Sequence, residues 1–238
     1  MEIIIAKNAG FCFGVKRACD SLEARIDQIR AGERIFTLGT LIHNGEYNAW
    51  LERQGVEVTS VDHLRTLAQS ATDESPVTVF IRAHGIPRED ERLLAELADG
   101  NSHFTYVDCT CPYVKKIHNI AAAHSKEDNF LLIFGREEHP EVVGIMSYFD
   151  YEKMAFSTAE ELEELVKKDV FVKMNKKTPI LVAQTTQKLS EWRKTQEILK
   201  KVYTNPLIFD TICSVTEKRQ KEAETLSREC DAMIVIGG

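Results

Sequence analysis

The feature that most constrains this chain is a weak internal repeat, with a period of about one hundred residues. Three stretches carry it: Gly10-Phe11-Cys12-Phe13-Gly14-Val15-Lys16-Arg17, Cys109-Thr110-Cys111-Pro112-Tyr113-Val114-Lys115-Lys116, and Thr211-Ile212-Cys213-Ser214-Val215-Thr216-Glu217-Lys218. Cys12, Cys111 and Cys213 are 99 and 102 positions apart. In each stretch an apolar run ends at a cysteine and an amphipathic helical pattern begins within a few residues. A second landmark keeps step, since strand-like runs enter Gly39, Gly135 and Gly237 at 27, 24 and 24 residues past the respective cysteines. A third landmark is Ala83-His84-Gly85 after Val77–Arg82, matched by Gln184-Thr185-Thr186 after Pro179–Val182. The third copy has no counterpart before the chain stops.

Short β-branched or aromatic runs are expected as strands at Ile3–Ala6, Ile35–Leu38, Val77–Arg82, Phe104–Val107, Phe130–Phe134, Pro179–Val182 and Met233–Ile236. Helical periodicity covers Lys16–Arg30, His63–Ser70, Glu89–Ala98, Tyr113–Lys126, Thr158–Lys168, Glu191–Val202 and Glu217–Glu229. Ser157 with Glu160 reads as a capping box, and Ala71–Pro76 and Asn175–Thr178 as loops. Strand–helix alternation predicts an α/β protein of parallel βαβ units. The division expected is a first α/β unit at 14–108, a second at 109–209, and an incomplete third built from 1–13 with 210–238.

In parallel α/β units ligands gather at the carboxyl ends of strands, where all these landmarks fall. Three such units around a pseudo-three-fold axis would aim three strand ends at one centre. A helix N-terminus favours the thiolate form of an adjacent cysteine. Three converging thiolates repel, and a cationic iron–sulfur core supplies the compensating charge. Three cysteines also leave one iron of a 4Fe–4S cluster with an open position, as Lewis-acid chemistry requires. Cys19, Cys109 and Cys230 read as small apolar fillers. Cys111 is preferred over Cys109 because its register fits the repeat and Pro112 suits a first helical position. A structural zinc site lacks the local Cys-x-x-Cys knuckle it usually needs.

The net charge of −7 offers no basic stripe for nucleic acid. No apolar segment is long enough to cross a bilayer, and Met1–Lys7 is too short and too acidic for a secretory signal. A cytoplasmic setting is expected, where six cysteines stay reduced rather than forming disulfides.

Among seven histidines, His63, His103, His118 and His124 lie in or near amphipathic stretches and read as surface or core residues. His43, His84 and His139 each follow a strand end in a turn, in register with the cysteines. They suit hydrogen bonding to a diphosphate or ligation of a separate metal. Glu141 admits two readings, a carboxylate stabilised by a helix dipole or a proton donor with Thr185 as hydroxyl relay.

Ala9-Gly10-Phe11-Cys12-Phe13-Gly14-Val15 resembles the N-terminal signature of the 4-hydroxy-3-methylbut-2-enyl diphosphate reductase (IspH/LytB) family. Leu41-Ile42-His43-Asn44, Arg82-Ala83-His84-Gly85, Thr110-Cys111-Pro112, His139-Pro140-Glu141-Val142-Val143-Gly144, Gln184-Thr185-Thr186 and Thr211-Ile212-Cys213 resemble that family's motifs, in order along the chain. The resemblance implies a trefoil of three α/β units around a 4Fe–4S cluster held by Cys12, Cys111 and Cys213, with one iron not ligated by cysteine. It implies His43, His84 and His139 around the substrate diphosphate, Glu141 as proton source and Thr185 near the substrate hydroxyl. The implied reaction removes the hydroxyl of an allylic diphosphate to give isopentenyl and dimethylallyl diphosphates, the last step of the non-mevalonate route. The implied electron donor is a ferredoxin or flavodoxin-type protein.

The family continues past its strand-end glycine with an Asn-Ser-Ser-Asn motif and a later serine, and the chain stops at Gly238 before them. The expectation is a C-terminally truncated piece whose longer parent is the active enzyme. Two rivals remain. Another three-cysteine cluster enzyme, quinolinate-synthase-like or diphthamide-type, would not need the three histidines together. An inactive fragment would bind no cluster.

Overall fold

The structure, a computed structural model, describes residues 2–167 and 176–236. The chain divides into two compact units. Phe11–Pro112 form most of one, and Tyr113–Ile234 with the residues up to Gly10 form the other.

The first unit runs α1 (Phe13–Asp27), β1 (Arg34–Leu38), α2 (Gly45–Arg53), β2 (Val56–Thr59), a 3-10 turn, α3 (Leu64–Ser70), β3 (Val77–Ile81), α4 (Arg88–Gly100) and β4 (Phe104–Asp108). Its four strands are parallel in the order β2-β1-β3-β4. Both faces of this sheet are covered. Phe80 packs with Ala18, Leu22 and Leu51 of α1 and α2. Val77, Val79 and Ile81 pack with Leu64, Ala68 and Leu94 of α3 and α4. The continuous apolar run of β3 is what a strand buried on both sides needs.

The second unit repeats this order with α5 (Pro112–Ala123), β5 (Asn129–Phe134), α6 (Pro140–Ser147), β6 (Lys153–Phe156), α7 (Ala159–Val166), β7 (Thr178–Ala183), α8 (Leu189–Val202) and β8 (Leu207–Ile208), and then continues into α9 (Ser214–Glu229). Its sheet is again parallel, ordered β6-β5-β7-β8. Leu131, Ile133, Ile180 and Val182 face α5 and α6, where Ile117, Ala121 and Ile145 lie. Phe130, Leu132, Phe134 and Leu181 face α7 and α8, with Leu162, Trp192 and Leu199. The two sheets are therefore the same device used twice. Each reverses its winding between two central strands, β1 and β3 or β5 and β7, and this is where doubly wound sheets open a crevice for ligands.

The α/β expectation and five of its seven strands are met, and several details differ. Ile3–Ala6 and Met233–Ile236 form no strand, and Ile3, Ile5, Ile234 and Ile236 are exposed. A lone extended run leaves its backbone groups without a ladder, so apolar β-propensity alone does not make it a strand. Elements not expected are α2, α6, β2, β6 and β8. The cap of α7 lies one residue later than the capping-box reading: Thr158 Oγ1 accepts from Glu161 N at 3.1 Å, and Glu161 accepts from Ser157 N at 2.6 Å. Lys168, Asn175 and the Gly237-Gly238 strand end lie outside the described residues. Among the described residues no helix is long and apolar enough to cross a membrane.

Candidate active site

Cys12 is the N-cap of α1, with its side chain making no capping hydrogen bond. Cys111 immediately precedes α5, which opens on Pro112, and Cys213 is the N-cap of α9, again without a side-chain cap. All three are half-buried, and no disulfide joins any of the six cysteines. In the first unit Cys111 lies against α1. A methyl group built on Gly14 would stand 2.5 Å from Cys111 Sγ, so only glycine lets that sulfur sit two residues into the helix that Cys12 caps.

The turn before Cys111 is held tightly. Cys109 N donates to Ile81 O at 3.2 Å, Thr110 N to Asp108 Oδ1 at 2.9 Å and Cys111 N to Ala83 O at 2.9 Å. The second unit repeats the last bond, with Cys213 N donating to Thr185 O at 2.9 Å. Cys109 corresponds to Thr211, whose hydroxyl accepts from Ala183 N at 2.7 Å and donates to Ala183 O at 2.8 Å. The two turns thus align Cys111 with Cys213 and Cys109 with Thr211. Burial pushes the Cys109 thiol up to about 11 and raises Cys19 as well, which leaves both as neutral packing groups. Cys230, also expected as filler, is only half-buried and forms the C-cap of α9.

His43 and His84 come together at the winding reversal of the first sheet, their ring centroids 4.2 Å apart. Asn44 opens α2 by accepting from Tyr47 N at 2.9 Å, which fixes the loop that carries His43. Arg82 spans the two loops. Its Nε donates to Gly85 O at 3.2 Å, and its Nη1 lies 2.8 Å from where a Cβ on Gly39 would be. Gly39 also has φ +68°, so a side chain there meets both strain and collision.

The corresponding place in the second unit holds His139, Glu141 and Thr185. His139 is the N-cap of α6 and its Nδ1 accepts from Glu141 N at 3.1 Å. That assigns the ring proton to Nε2. Glu141, 1% exposed, receives Thr185 N at 2.6 Å on one oxygen and Thr185 Oγ1 at 2.9 Å on the other. Burial pushes its carboxyl up to about 7, against the lowering effect of the two Thr185 hydrogen bonds. His63, His103, His118 and His124 lie apart from these residues, and His118 is buried with its ring stacked on Tyr148 at 4.3 Å.

The predicted residues thus gather as His43 with His84, Cys111 on the Cys12 helix, and Glu141 with Thr185, His139 and the Cys213 turn. Cys12 and Cys111 belong to one unit and Cys213 to the other. Among the described residues no group of three His, Cys, Asp or Glu side chains is gathered as a metal ion would need. Sequence reasoning missed Arg17, Arg82 and Thr211 as organisers of these turns, although all three lie inside the quoted motifs.

A profile of the family described as LytB protein matches residues 3–238. The chain belongs to the LytB family. A LytB relative named 4-hydroxy-3-methylbut-2-enyl diphosphate reductase, from Caldanaerobacter subterraneus subsp. tengcongensis, is 35% identical over 238 residues, covering 100% of this chain and 76% of the relative. One of the same name from Nitratiruptor sp. is 37% identical over 240 residues, again with 100% and 76% coverage. A solved structure of (E)-4-hydroxy-3-methyl-but-2-enyl diphosphate reductase, described as the terminal enzyme of the non-mevalonate pathway, superposes with a TM-score of 0.70 at 32% identity, over 99% of this chain and 76% of that one. The Plasmodium falciparum reductase structure shares the fold, with a TM-score of 0.74 at 22% identity over 93% of this chain and 64% of its own.

Proposed function

We propose that this chain is an iron–sulfur reductase acting on 4-hydroxy-3-methylbut-2-enyl diphosphate in the non-mevalonate isoprenoid route. The observation that carries the reading is Glu141, a buried carboxyl poised near 7 and joined through Thr185 to the backbone of Cys213. A carboxyl of that kind delivers a proton near neutral pH.

The cofactor is a 4Fe–4S cluster held by Cys12, Cys111 and Cys213, with one iron not ligated by cysteine. The donor set suits it: three cysteines outside any disulfide, each at the start of a helix, and a glycine at position 14 that keeps the space beside Cys111 Sγ clear. When bound, the cluster would supply electrons and Lewis-acid chemistry. In this reading the chain comprises three α/β units, 14–108, 109–209 and a partial third from 1–13 and 210–238.

The chain's own residues do the rest. His43, His84 and His139 donate hydrogen bonds to the diphosphate, His139 through Nε2. Thr185 holds the substrate hydroxyl and passes it the proton of Glu141. The allylic alcohol takes two electrons and two protons, its C–O bond breaks, water leaves, and isopentenyl or dimethylallyl diphosphate forms. A ferredoxin or flavodoxin-type partner in the cytoplasm supplies the electrons.

Mössbauer and EPR spectra of an anaerobically reconstituted sample, with and without the diphosphate, test the reading. A 4Fe–4S signal in which one iron changes on adding substrate is expected. A colourless preparation with no iron bound defeats it.

A further inference from the structure

The fifth residue after each repeated cysteine is basic: Arg17, Lys116 and Lys218. Lys116 and Lys218 point into solvent, as helix-surface lysines do, whereas Arg17 is half-buried. Its Nη2 donates to Thr110 O at 2.5 Å, the carbonyl directly before Cys111. One guanidinium thus ties the helix that Cys12 caps to the turn that delivers Cys111, while Asp108 and Ala83 hold the other side of the turn.

Two further features are not explained by that tie. Arg17 Nε is buried with no hydrogen-bond partner among the described residues. Among those residues no carboxylate forms an ion pair with Arg17 either, and a buried N–H without an acceptor is unfavourable unless one belongs beside it. Anionic sulfur is the class of acceptor that both the charge and the idle N–H lack.

We propose that Arg17 is a positioning residue for the Cys12–Cys111 pair, and that its guanidinium governs how firmly the iron–sulfur group is retained and how readily it is reduced. The inference rests on the cysteine reading given above. A cluster becomes more negative when it takes an electron, so a neighbouring cation favours the reduced form and raises the potential. A lysine could supply the charge without the planar fork that grips a carbonyl.

The chain, R17K and R17M are reconstituted anaerobically with ferrous iron and sulfide, with far-UV circular dichroism to confirm folding. Two quantities are read: the rate of iron loss to a chelator and the midpoint potential from an EPR-monitored titration. R17M should release iron roughly tenfold faster and titrate at a more negative potential. R17K should release iron faster while its potential stays near that of the parent. Parent-like release and potential in R17M overturn the proposal. Should R17M not fold, parent-like release from R17K does the same. A parent chain that takes up no cluster sinks the cysteine reading and this inference with it, whereas a loaded parent with indifferent variants removes Arg17 alone.

Discussion

Glu141 owes its chemistry to burial more than to the helix it opens. A carboxyl in the first turn of α6 would ordinarily be lowered by the dipole, yet its 1% exposure pushes it from 4.5 up to about 7. The sign for stability follows: the folded state holds this proton more tightly than the unfolded chain, so stability falls as pH rises from about 4.5 to about 7. Above that window the ionised carboxylate costs about 3 kcal/mol relative to an ordinary glutamate. Glu141→Gln keeps both Thr185 partners and removes this penalty, so its melting temperature should exceed the parent's at pH ~8 and converge toward it near pH ~5. Equal gains at both pH values would exclude the buried charge as the cause. In turnover the same substitution should lower kcat by roughly 10²–10⁴-fold with little change in KM, the loss typical of a missing general acid. Gly14→Ala tests the sulfur beside it. The new methyl takes space that Cys111 Sγ occupies at 2.5 Å, so iron uptake should drop while the far-UV spectrum keeps its helical signal.

At the scale of elements, what the sequence disclosed depended on length and burial. Val77–Ile81, Phe130–Phe134 and the long helices α1, α4, α5 and α8 were legible because their patterns run over several turns or sit wholly inside a core. The edge strands β2 and β6 are four residues each and β8 is two, too short for alternation to register. The helix α6 hides for another reason: Pro140-Glu141-Val142-Val143-Gly144 combines β-branched residues and glycine, which propensity reads as non-helical, and packing of Val142 and Ile145 overrides it. The short helix α2 begins with Gly45 and depends on Asn44 for its start. The candidate site was legible as motifs, because each residue follows a strand end at a repeated spacing. Its pairings were not, since the His43–His84 contact and the Arg17 tie depend on side-chain directions that spacing does not encode. Asn44→Ala should cost about 1 kcal/mol, the usual worth of such a cap. Chemical denaturation should show that loss, and imidazole NMR resonances of His43 and His84 should shift with it if the cap sets their loop.

Over the whole molecule, one design is used twice: a cysteine, a helix, and a parallel sheet wound from its centre outward. A further helix, α9, follows Cys213. Apolar residues at both ends of the described chain remain in solvent, with Ile5 at 80% and Ile236 at 93% exposure. Ile5→Lys and Ile236→Lys should therefore leave the melting temperature unchanged. Loss of stability in either variant would mean that the residue is packed in solution. Cysteine replacements divide along the same plan: Ser at 12, 111 or 213 should strip iron, whereas Ser at 230 should leave it in place.

Thr185 answers to two neighbours at once. Its amide and hydroxyl belong to Glu141, and its carbonyl belongs to the amide of Cys213. One residue therefore links the Glu141 carboxyl to the backbone of Cys213. Keeping both in register makes the spot intolerant of slack: Thr185→Val sacrifices one hydroxyl, but a proline there would unfasten the amide from the carboxylate and set the two chemistries adrift from each other.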